Sequence, residues 1–401
     1  MKAWGPLEGL KVLDLTTNVS GPLATQVLSG LGATVWKVER PDGGDDARQM
    51  SPVVGGESAY FLAINASKKS IALDLRKPGA KEVVRKLVER ADILVENYRP
   101  RTAERLGVGW RRVHAMNPRL VYASISGYGG KGPDGLRAGY DGLLQARTGL
   151  LSVTGPPGGP PVRIGVSILD AGSGVWASLG ILAALLTRDK TGRGQKIATS
   201  LFETGVFLLA YHLLSFQLTG RVPLPHGTDH PAFSPYGAFA AGGRGTIFIG
   251  ISNDRQFRRL CRCLGHEEWA SDQRYRENRR RVTNRDLLRS QLNSILRTKG
   301  ARYWERTLTR AEVPASRLQN VREVLADAQA GPLSLFRSLS GPRNRRLKVP
   351  KLPLELSDFP AKAGVWRVPR LGEHTREILS SVGLTGREIA KLELDRVVLQ
   401  S

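Results

Sequence analysis

Asp170 sits between an apolar stretch and an apolar helix, in Ile164-Gly165-Val166-Ser167-Ile168-Leu169-Asp170-Ala171-Gly172-Ser173-Gly174, with small residues clearing space on its C-terminal side. If its side chain faces a cleft, the helix dipole is expected to keep it ionised. An ionised carboxylate can attack an activated acyl group and form a covalent intermediate. An aspartate at a helix start also serves as a cap, and the local residues do not separate the two roles.

Three further stretches could bind a ligand. Asp14-Leu15-Thr16-Thr17-Asn18-Val19-Ser20-Gly21-Pro22 runs from strand through loop to helix, where helix N–H groups can face an anion beyond a strand's carboxyl end. It lacks G-x-G-x-x-G spacing and is equally a plain helix start. Val95-Glu96-Asn97-Tyr98-Arg99-Pro100, with Arg101 and Arg105 downstream, offers a planar amide, an aromatic face and guanidinium groups for a purine ring and phosphates. It could also be a turn stopped by Pro100. Ser126-Gly127-Tyr128-Gly129-Gly130-Lys131-Gly132-Pro133, followed by Arg137 and Gly139-Tyr140-Asp141, would let a backbone approach a ligand, but it is no P-loop.

The histidines are His114, His212, His226, His230, His266 and His374, and only His226 and His230 lie near each other. In a Pro-rich loop that spacing does not favour a shared metal, so no metal site is expected. No G-x-S-x-G nucleophile turn is present.

The first half alternates short β-branched runs with longer amphipathic ones, as βαβ units around a mostly parallel sheet require. Strands are expected at residues 11–15, 34–39, 93–96 and 120–126, and helices at 22–31 and 78–90, the latter with Val83, Val84, Leu87 and Val88 on one face. The apolar run from 168 to 186 approaches bilayer-spanning length but holds Asp170, Gly172, Gly174 and Gly180. It reads as a buried helix, with no membrane partner expected. A turn at Lys190-Thr191-Gly192-Arg193-Gly194 leads to a strand at 195–200 and a helix at 201–218. Near Arg221 the composition changes: Pro223, Pro225, Gly227, Pro231 and Pro235 make a helix untenable, and a second unit starts there. A strand at 246–251 and charged surface helices to about Gln329 follow. Residues 331–369 suggest extended connections, and 374–382 and 387–392 a helical end.

A chain of 401 residues, 41% hydrophobic, is too apolar to be mainly disordered and long enough for two or three domains. Met1-Lys2-Ala3-Trp4-Gly5-Pro6 carries no apolar run of a secretory signal. Cys261 and Cys263 alone make no disulfide framework, which suits a reducing cytoplasm. The net charge of +24 would attract polyanions of several kinds and does not choose among them. Much of the excess lies between Arg255 and Arg346, including Arg279-Arg280-Arg281. It reads as a solvated arginine-rich surface, because no aromatic interleaving or helix-turn-helix pattern accompanies it. No specific nucleic-acid partner is expected.

Taken in order, these stretches resemble the family III CoA-transferases, which include formyl-CoA transferase, carnitine CoA-transferase and succinyl-CoA:dicarboxylate transferases. The resemblance spans nearly the whole chain. It rests on Gly9-Leu10-Lys11-Val12-Leu13-Asp14-Leu15-Thr16, Val38-Glu39-Arg40-Pro41, Gly44-Asp45-Asp46, Asn65 with Lys68-Lys69-Ser70-Ile71, Val95-Glu96-Asn97-Tyr98, Gly127-Tyr128-Gly129 and Ala138-Gly139-Tyr140-Asp141. The Asp170 segment, Lys190-Thr191-Gly192-Arg193-Gly194-Gln195, Asn253-Asp254-Arg255-Gln256-Phe257 and Leu371-Gly372-Glu373-His374-Thr375 complete it.

The resemblance implies an α/β fold: a Rossmann-like large domain built from both chain ends (1–220 and 331–401), a smaller inserted α+β domain (221–330), and an interlocked homodimer. It places the nucleophile at Asp170, passing through an aspartyl-acyl anhydride and an aspartyl-CoA thioester before CoA reaches an acceptor carboxylate. CoA-contacting positions fall on Val19, Ser20, Arg40, Asn97, Tyr98, Arg105, Arg137 and Tyr140. The arginines would suit phosphates and Tyr98 the adenine face. CoA thioesters are substrates, and no permanently bound cofactor is implied. Related racemases carry a histidine where this chain has Tyr140, which favours transfer over racemisation. Where formyl-CoA transferase has a glycine run, residues 226–235 resemble the dicarboxylate-type members, and His226 or His230 could meet an acceptor there.

Overall fold

The computed structural model describes residues 5–359 and 365–401. Met1 to Trp4, which bear on a secretory signal, and residues 360–364 of the stretch expected to be extended lie outside the described residues. The chain forms two compact units: one from the residues up to Leu150, Ile164–Leu214 and the residues from Gln329 on, the other from Leu151–Arg163 and Ser215–Ala328.

The first unit is organised by a seven-stranded sheet of β1 (Lys11–Asp14), β2 (Thr34–Glu39), β3 (Lys69–Leu73), β4 (Ile93–Glu96), β5 (Val121–Ser126), β6 (Lys196–Ser200) and β7 (Val398–Leu399). The spatial order is β7-β3-β2-β1-β4-β5-β6. The first six strands run parallel, and β7 pairs antiparallel with β3, Val398 opposite Leu73. Strands covered on both faces are largely apolar, and β4 is buried at all four residues, with Glu96 at its carboxyl end. The order in which strands are added reverses between β1 and β4, where a doubly wound sheet opens a crevice at its carboxyl ends.

Four helices position the site: α1 (Ser20–Gly30), α2 (Ala80–Arg90), α3 (Asp141–Thr148) and α4 (Ile168–Thr191). α2 buries Ala80, Val83, Val84, Leu87 and Val88, the stripe that i, i+3, i+4 spacing dictates. Burying each larger side chain contributes roughly 1.5–3 kcal/mol. Ile378, Leu379 and Ile389, from helices Thr375–Ser381 and Gly386–Leu394, join the same core as Leu13, Trp36 and Val83.

Three expectations are corrected. α4 buries Leu169, Ala177, Ile181 and Ala184 but leaves Val175, Trp176, Leu179 and Leu186 exposed, because it is apolar on every side while the described residues cover only one. Among the described residues it is the one unbroken helix long and apolar enough to cross a membrane. The helix expected at 201–218 breaks at Leu209 into α5 (Leu201–Leu208) and α6 (Ala210–Thr219), since the Leu209 N–H reaches the Val206 carbonyl in a tighter turn. Part of the 331–369 stretch is an antiparallel hairpin, Phe336–Ser340 with Arg346–Pro350, that packs Leu339 and Val349 against Leu62 and Ala66.

The second unit has a three-stranded antiparallel sheet, Ala315–Arg317, Thr246–Gly250 and Tyr236–Ala240. Helices α7 (Asn278–Thr283) and α8 (Arg285–Leu296) belong to it, and its core includes Phe239, Ile247, Phe257, Leu288, Leu292 and Trp304.

Candidate active site

The crevice between β1 and β4 is closed by one side chain. Asn97 follows β4; its Oδ1 accepts the Thr17 N–H at 2.9 Å, and its Nδ2 donates to the Thr17 carbonyl at 2.8 Å and to Ser20 Oγ at 3.4 Å. The amide that could have faced a purine is therefore engaged with the β1–α1 loop. Asn18 takes a left-handed conformation (φ 65°) and donates its N–H to Asp45 Oδ1. A Cβ on Gly21 would lie 2.3 Å from Thr16 Cβ, so only glycine lets the loop fold this tightly. α1 then starts after Val19 with no side-chain cap.

A buried charge network supports this loop. Lys37 pairs with Asp45 at 2.7 Å and donates to the Thr16 carbonyl at 2.9 Å. Lys68 donates to Asp14 (3.1 Å), Thr25 Oγ1 (2.8 Å), Asn65 Oδ1 (2.8 Å) and the Pro22 carbonyl (2.9 Å). Burial alone would raise the Asp14 carboxyl, but Lys68 and Lys37, with the Thr16 and Thr25 hydroxyls, hold it at about 2. Burial pushes the Lys68 ammonium down to about 8 despite Asp14. Each charge here is surrounded by fixed partners, the condition under which buried ions are tolerated.

Above the network lies a cleft of about 580 Å³ whose lining includes Arg40, Tyr98, Arg105, Leu75 and Thr17. Arg40 pairs with Asp46 at 2.6 Å and donates to the Gly44 carbonyl, and Arg105 donates to Thr102 Oγ1 at 3.0 Å. The structure thus gathers Arg40, Tyr98 and Arg105 into one cleft, beside the loop carrying Val19 and Ser20. Arg137 and Tyr140 do not line it. They belong to the glycine-rich segment, where a Cβ on Gly127 would come 2.7 Å from Gly139 Cα. Arg137 pairs with Asp134 at 2.9 Å, and Tyr140 is 66% exposed.

Asp170 stands in the first turn of α4. Gly174 brings α4 onto α1, since a Cβ there would lie 2.6 Å from the Ser20 carbonyl oxygen, and a Cβ on Gly172 would strike Thr204 at 2.8 Å. The two helix starts therefore converge. Asp141, the first residue of α3, caps α4: its Oδ2 accepts the Leu169 N–H at 2.8 Å and the Asp170 N–H at 3.2 Å. Gln145 donates to Asp141 Oδ1 at 2.6 Å and accepts the Ile164 N–H at 3.0 Å.

Among the described residues, the Asp170 carboxyl has no hydrogen-bond or ion-pair partner. Burial first, then the Asp141 charge, push it up to about 7. The helix start thus does not lower the Asp170 carboxyl. Asp141 occupies the N–H groups that would have supplied the positive field, and it adds a like charge. Asp141 and Gln145 are the residues sequence reasoning missed. Asp141 stood within Gly139-Tyr140-Asp141, but its partner lies 29 residues away.

His226 and His230 lie in the second unit. His230 Nδ1 accepts the Ala232 N–H at 3.1 Å, and its ring packs near Phe233 and Tyr236. Burial, with the Arg285 and His226 charges, lowers its pKa. The arginine run is not wholly a solvated surface: Arg281 is fully buried and bonds Asp254 at 2.7 Å. Cys261 and Cys263 are free thiols, and burial pushes Cys261 up to about 12. Among the described residues, no three His, Cys, Asp or Glu side chains gather as a metal site.

The model of CoA-transferase family III matches residues 7–375. The chain is 36% identical to the human (Homo sapiens) succinyl-CoA:glutarate CoA-transferase, over 94% of this chain and 86% of that protein. It is 36% identical to the acetyl-CoA:oxalate CoA-transferase of Acetobacter aceti, over 89% and 91%. A CaiB/BaiF family protein from Brucella suis, solved by crystallography, superposes with a TM-score of 0.85 at 34% identity, covering 94% of this chain and 99% of that one.

Proposed function

The chain belongs to CoA-transferase family III and is a CoA-transferase, and we propose that it moves CoA from succinyl-CoA to a free dicarboxylic acid with Asp170 as the nucleophile. The observation that carries this is the Asp170 carboxyl itself: unpaired among the described residues, raised to about 7, and set where two helix starts meet. A carboxylate of that basicity is a stronger nucleophile than an ordinary one and is still substantially ionised near neutral pH.

An Asp170 oxygen attacks the thioester carbonyl and expels the CoA thiolate, leaving an aspartyl-acyl anhydride. The thiolate attacks the Asp170 carbonyl carbon, releases the donor acid and leaves an aspartyl-CoA thioester. The acceptor carboxylate then displaces thiolate to form a second anhydride. Attack of thiolate on its acceptor carbonyl gives the new acyl-CoA and frees the Asp170 carboxylate. No hydrolysis or redox step is needed.

Arg40 and Arg105 suit the phosphates, Tyr98 suits the adenine, and the α1 start with Val19 and Ser20 suits the pantetheine arm as it approaches Asp170. Arg137 and Tyr140 are assigned to the same ligand nearer the thioester. Residues 226–235, with His226 and His230, form the acceptor loop. Named relatives use succinyl-CoA with glutarate or D-citramalate, which supports the donor and acceptor classes. With tyrosine at 140, the racemase alternative gains no support.

We further assign the compact unit of Leu151–Arg163 and Ser215–Ala328 as the smaller domain and the other unit as the large one, in a homodimer working in a reducing cytoplasm. The exposed Val175, Trp176, Leu179 and Phe207, and an α6 that buries no residue, are surfaces a second copy would cover.

The test is mass spectrometry of the protein and the CoA pool after mixing with succinyl-CoA and a panel of acids. CoA passing to a dicarboxylate, with an adduct on the Asp170 peptide that Asp170→Ala abolishes, is expected. An adduct elsewhere sinks the assignment.

A further inference from the structure

A second cavity, of about 290 Å³, opens at the amino ends of the strands in the first unit. Its walls include Thr34, which opens β2, and Lys69, which opens β3. Arg40, in the cleft, follows the other end of β2, about 20 Å along the strand from Thr34. The cavity and the cleft share no lining residue.

Close packing within the first unit builds these walls. Leu352 lies against the last residue of α1, where a Cβ on Gly30 would strike its Cδ1. The Leu7 N–H donates to the Leu31 carbonyl at 3.0 Å and so fastens the chain beside Gly5 and Pro6 to the end of the same helix. Trp366 donates its N–H to the Ser338 carbonyl at 2.8 Å, and its own carbonyl accepts the Ser340 N–H at 2.9 Å.

Gln26, one turn before Gly30 on α1, also lines the cavity. It is 8% exposed, and its buried Oε1 accepts no hydrogen bond among the described residues. A buried acceptor left unmet costs stability and calls for a donor. The lining carries three cations, Lys69, Arg337 and Lys351, and no carboxylate. Lys69 pairs with Glu377. The Arg337 guanidinium lies 5.3 Å from the centroid of the Trp366 ring, and burial lowers its pKa, so an anion beside it would offset the cost of its charge. Leu352, Leu354, Phe359 and Trp366 supply the apolar wall. The volume stands near the lower end of the roughly 300–1,000 Å³ of small-molecule sites, enough for a ligand of one ring.

We propose that this cavity is a second ligand site, for a small aromatic carboxylic acid carrying a hydroxyl: the carboxylate meets Lys351 and Arg337, the ring packs on Trp366 and Leu352, and the hydroxyl donates to Gln26 Oε1. The site stands apart from the CoA cleft and does not rest on the transferase reading. It answers an unmet acceptor, a set of cations and an aromatic wall with one ligand.

The test is isothermal titration calorimetry of the full chain without acyl-CoA. The probe is 4-hydroxyphenylacetate, compared with phenylacetate, which lacks the hydroxyl, and 4-hydroxyphenylethanol, which lacks the carboxylate. The parent is expected to bind 4-hydroxyphenylacetate at one site and each analogue about tenfold more weakly. Gln26→Leu should weaken the hydroxylated acid about tenfold and leave phenylacetate unchanged, since only the first uses Oε1. Lys351→Met should weaken both acids and leave 4-hydroxyphenylethanol unchanged. Arg105→Ala, in the cleft, should alter none of the three. Gln26→Leu removes an unmet acceptor and is expected to fold, and Lys351→Met, at a half-buried position, decides the matter if it does not. Absence of saturable binding to the parent overturns the inference. So does binding that Arg105→Ala weakens while Gln26→Leu and Lys351→Met leave it unchanged.

Discussion

Asp141 accepts the backbone N–H of Asp170 at 3.2 Å, so one carboxylate holds the start of the helix that carries the other. The contact places a like charge beside Asp170 and removes the N–H groups that would have eased its ionisation. Asp141 is thus both a cap and a regulator of basicity.

Replacing Asp141 by Asn keeps one acceptor for the cap and deletes the charge. The acidic midpoint of kcat/KM for succinyl-CoA, expected at about 7 in the parent, should move to lower pH in this variant. It should not reach the ordinary carboxylate range, because burial is the larger cause and persists. An unchanged midpoint would remove Asp141 from the account.

Asp170→Asn should abolish transfer and stabilise the fold. Its folded-state pKa of about 7 exceeds the ordinary 3.8, so between those values the folded chain binds the extra proton and stability falls as pH rises. The variant escapes that penalty. By denaturant unfolding we expect it to gain about 1–3 kcal/mol at about pH 8, with the gap closing toward about pH 4. A gap that widens as pH falls would contradict the sign.

Asn97→Ala frees the Thr17 backbone from its two bonds of 2.9 and 2.8 Å. A stability loss of about 1–2 kcal/mol is expected. The succinyl-CoA KM should rise with the glutarate KM unchanged, measured with each substrate varied in turn.

Arg105→Ala should raise the succinyl-CoA KM by about tenfold with little change in kcat, the pattern of lost uniform binding. The same substitution at Arg137, which lies outside the cleft and pairs with Asp134, should have the smaller effect on that KM. The reverse ranking would move the phosphate site.

The parallel strands were the most legible part of the fold. Residues 34–39 and 93–96 are strands at the expected bounds, because their β-branched and apolar residues pack in a sheet covered on both faces. β3 was less so: its pattern opens on Lys69-Ser70, and the pairing that makes it a strand comes from β2 and from residues near 398. Asp170 and the cleft residues stand in recognisable local company. Asp141 acts across nearly thirty residues, and Arg281, Arg285 and Arg289 repeat every four as a solvated helix face would. Only the folded chain reveals what they hold, the carbonyls of Ser234, His230 and Ala238.

The pairing of β7 with β3 carries a consequence for biosynthesis. A sheet whose first strand is residues 11–14 accepts its edge strand from residues 398–399. During translation, residues 215–328 of the second unit are all present and free to fold while that edge is still unmade. The strand that completes the edge of the seven-stranded sheet is therefore synthesised only after every residue of the second unit.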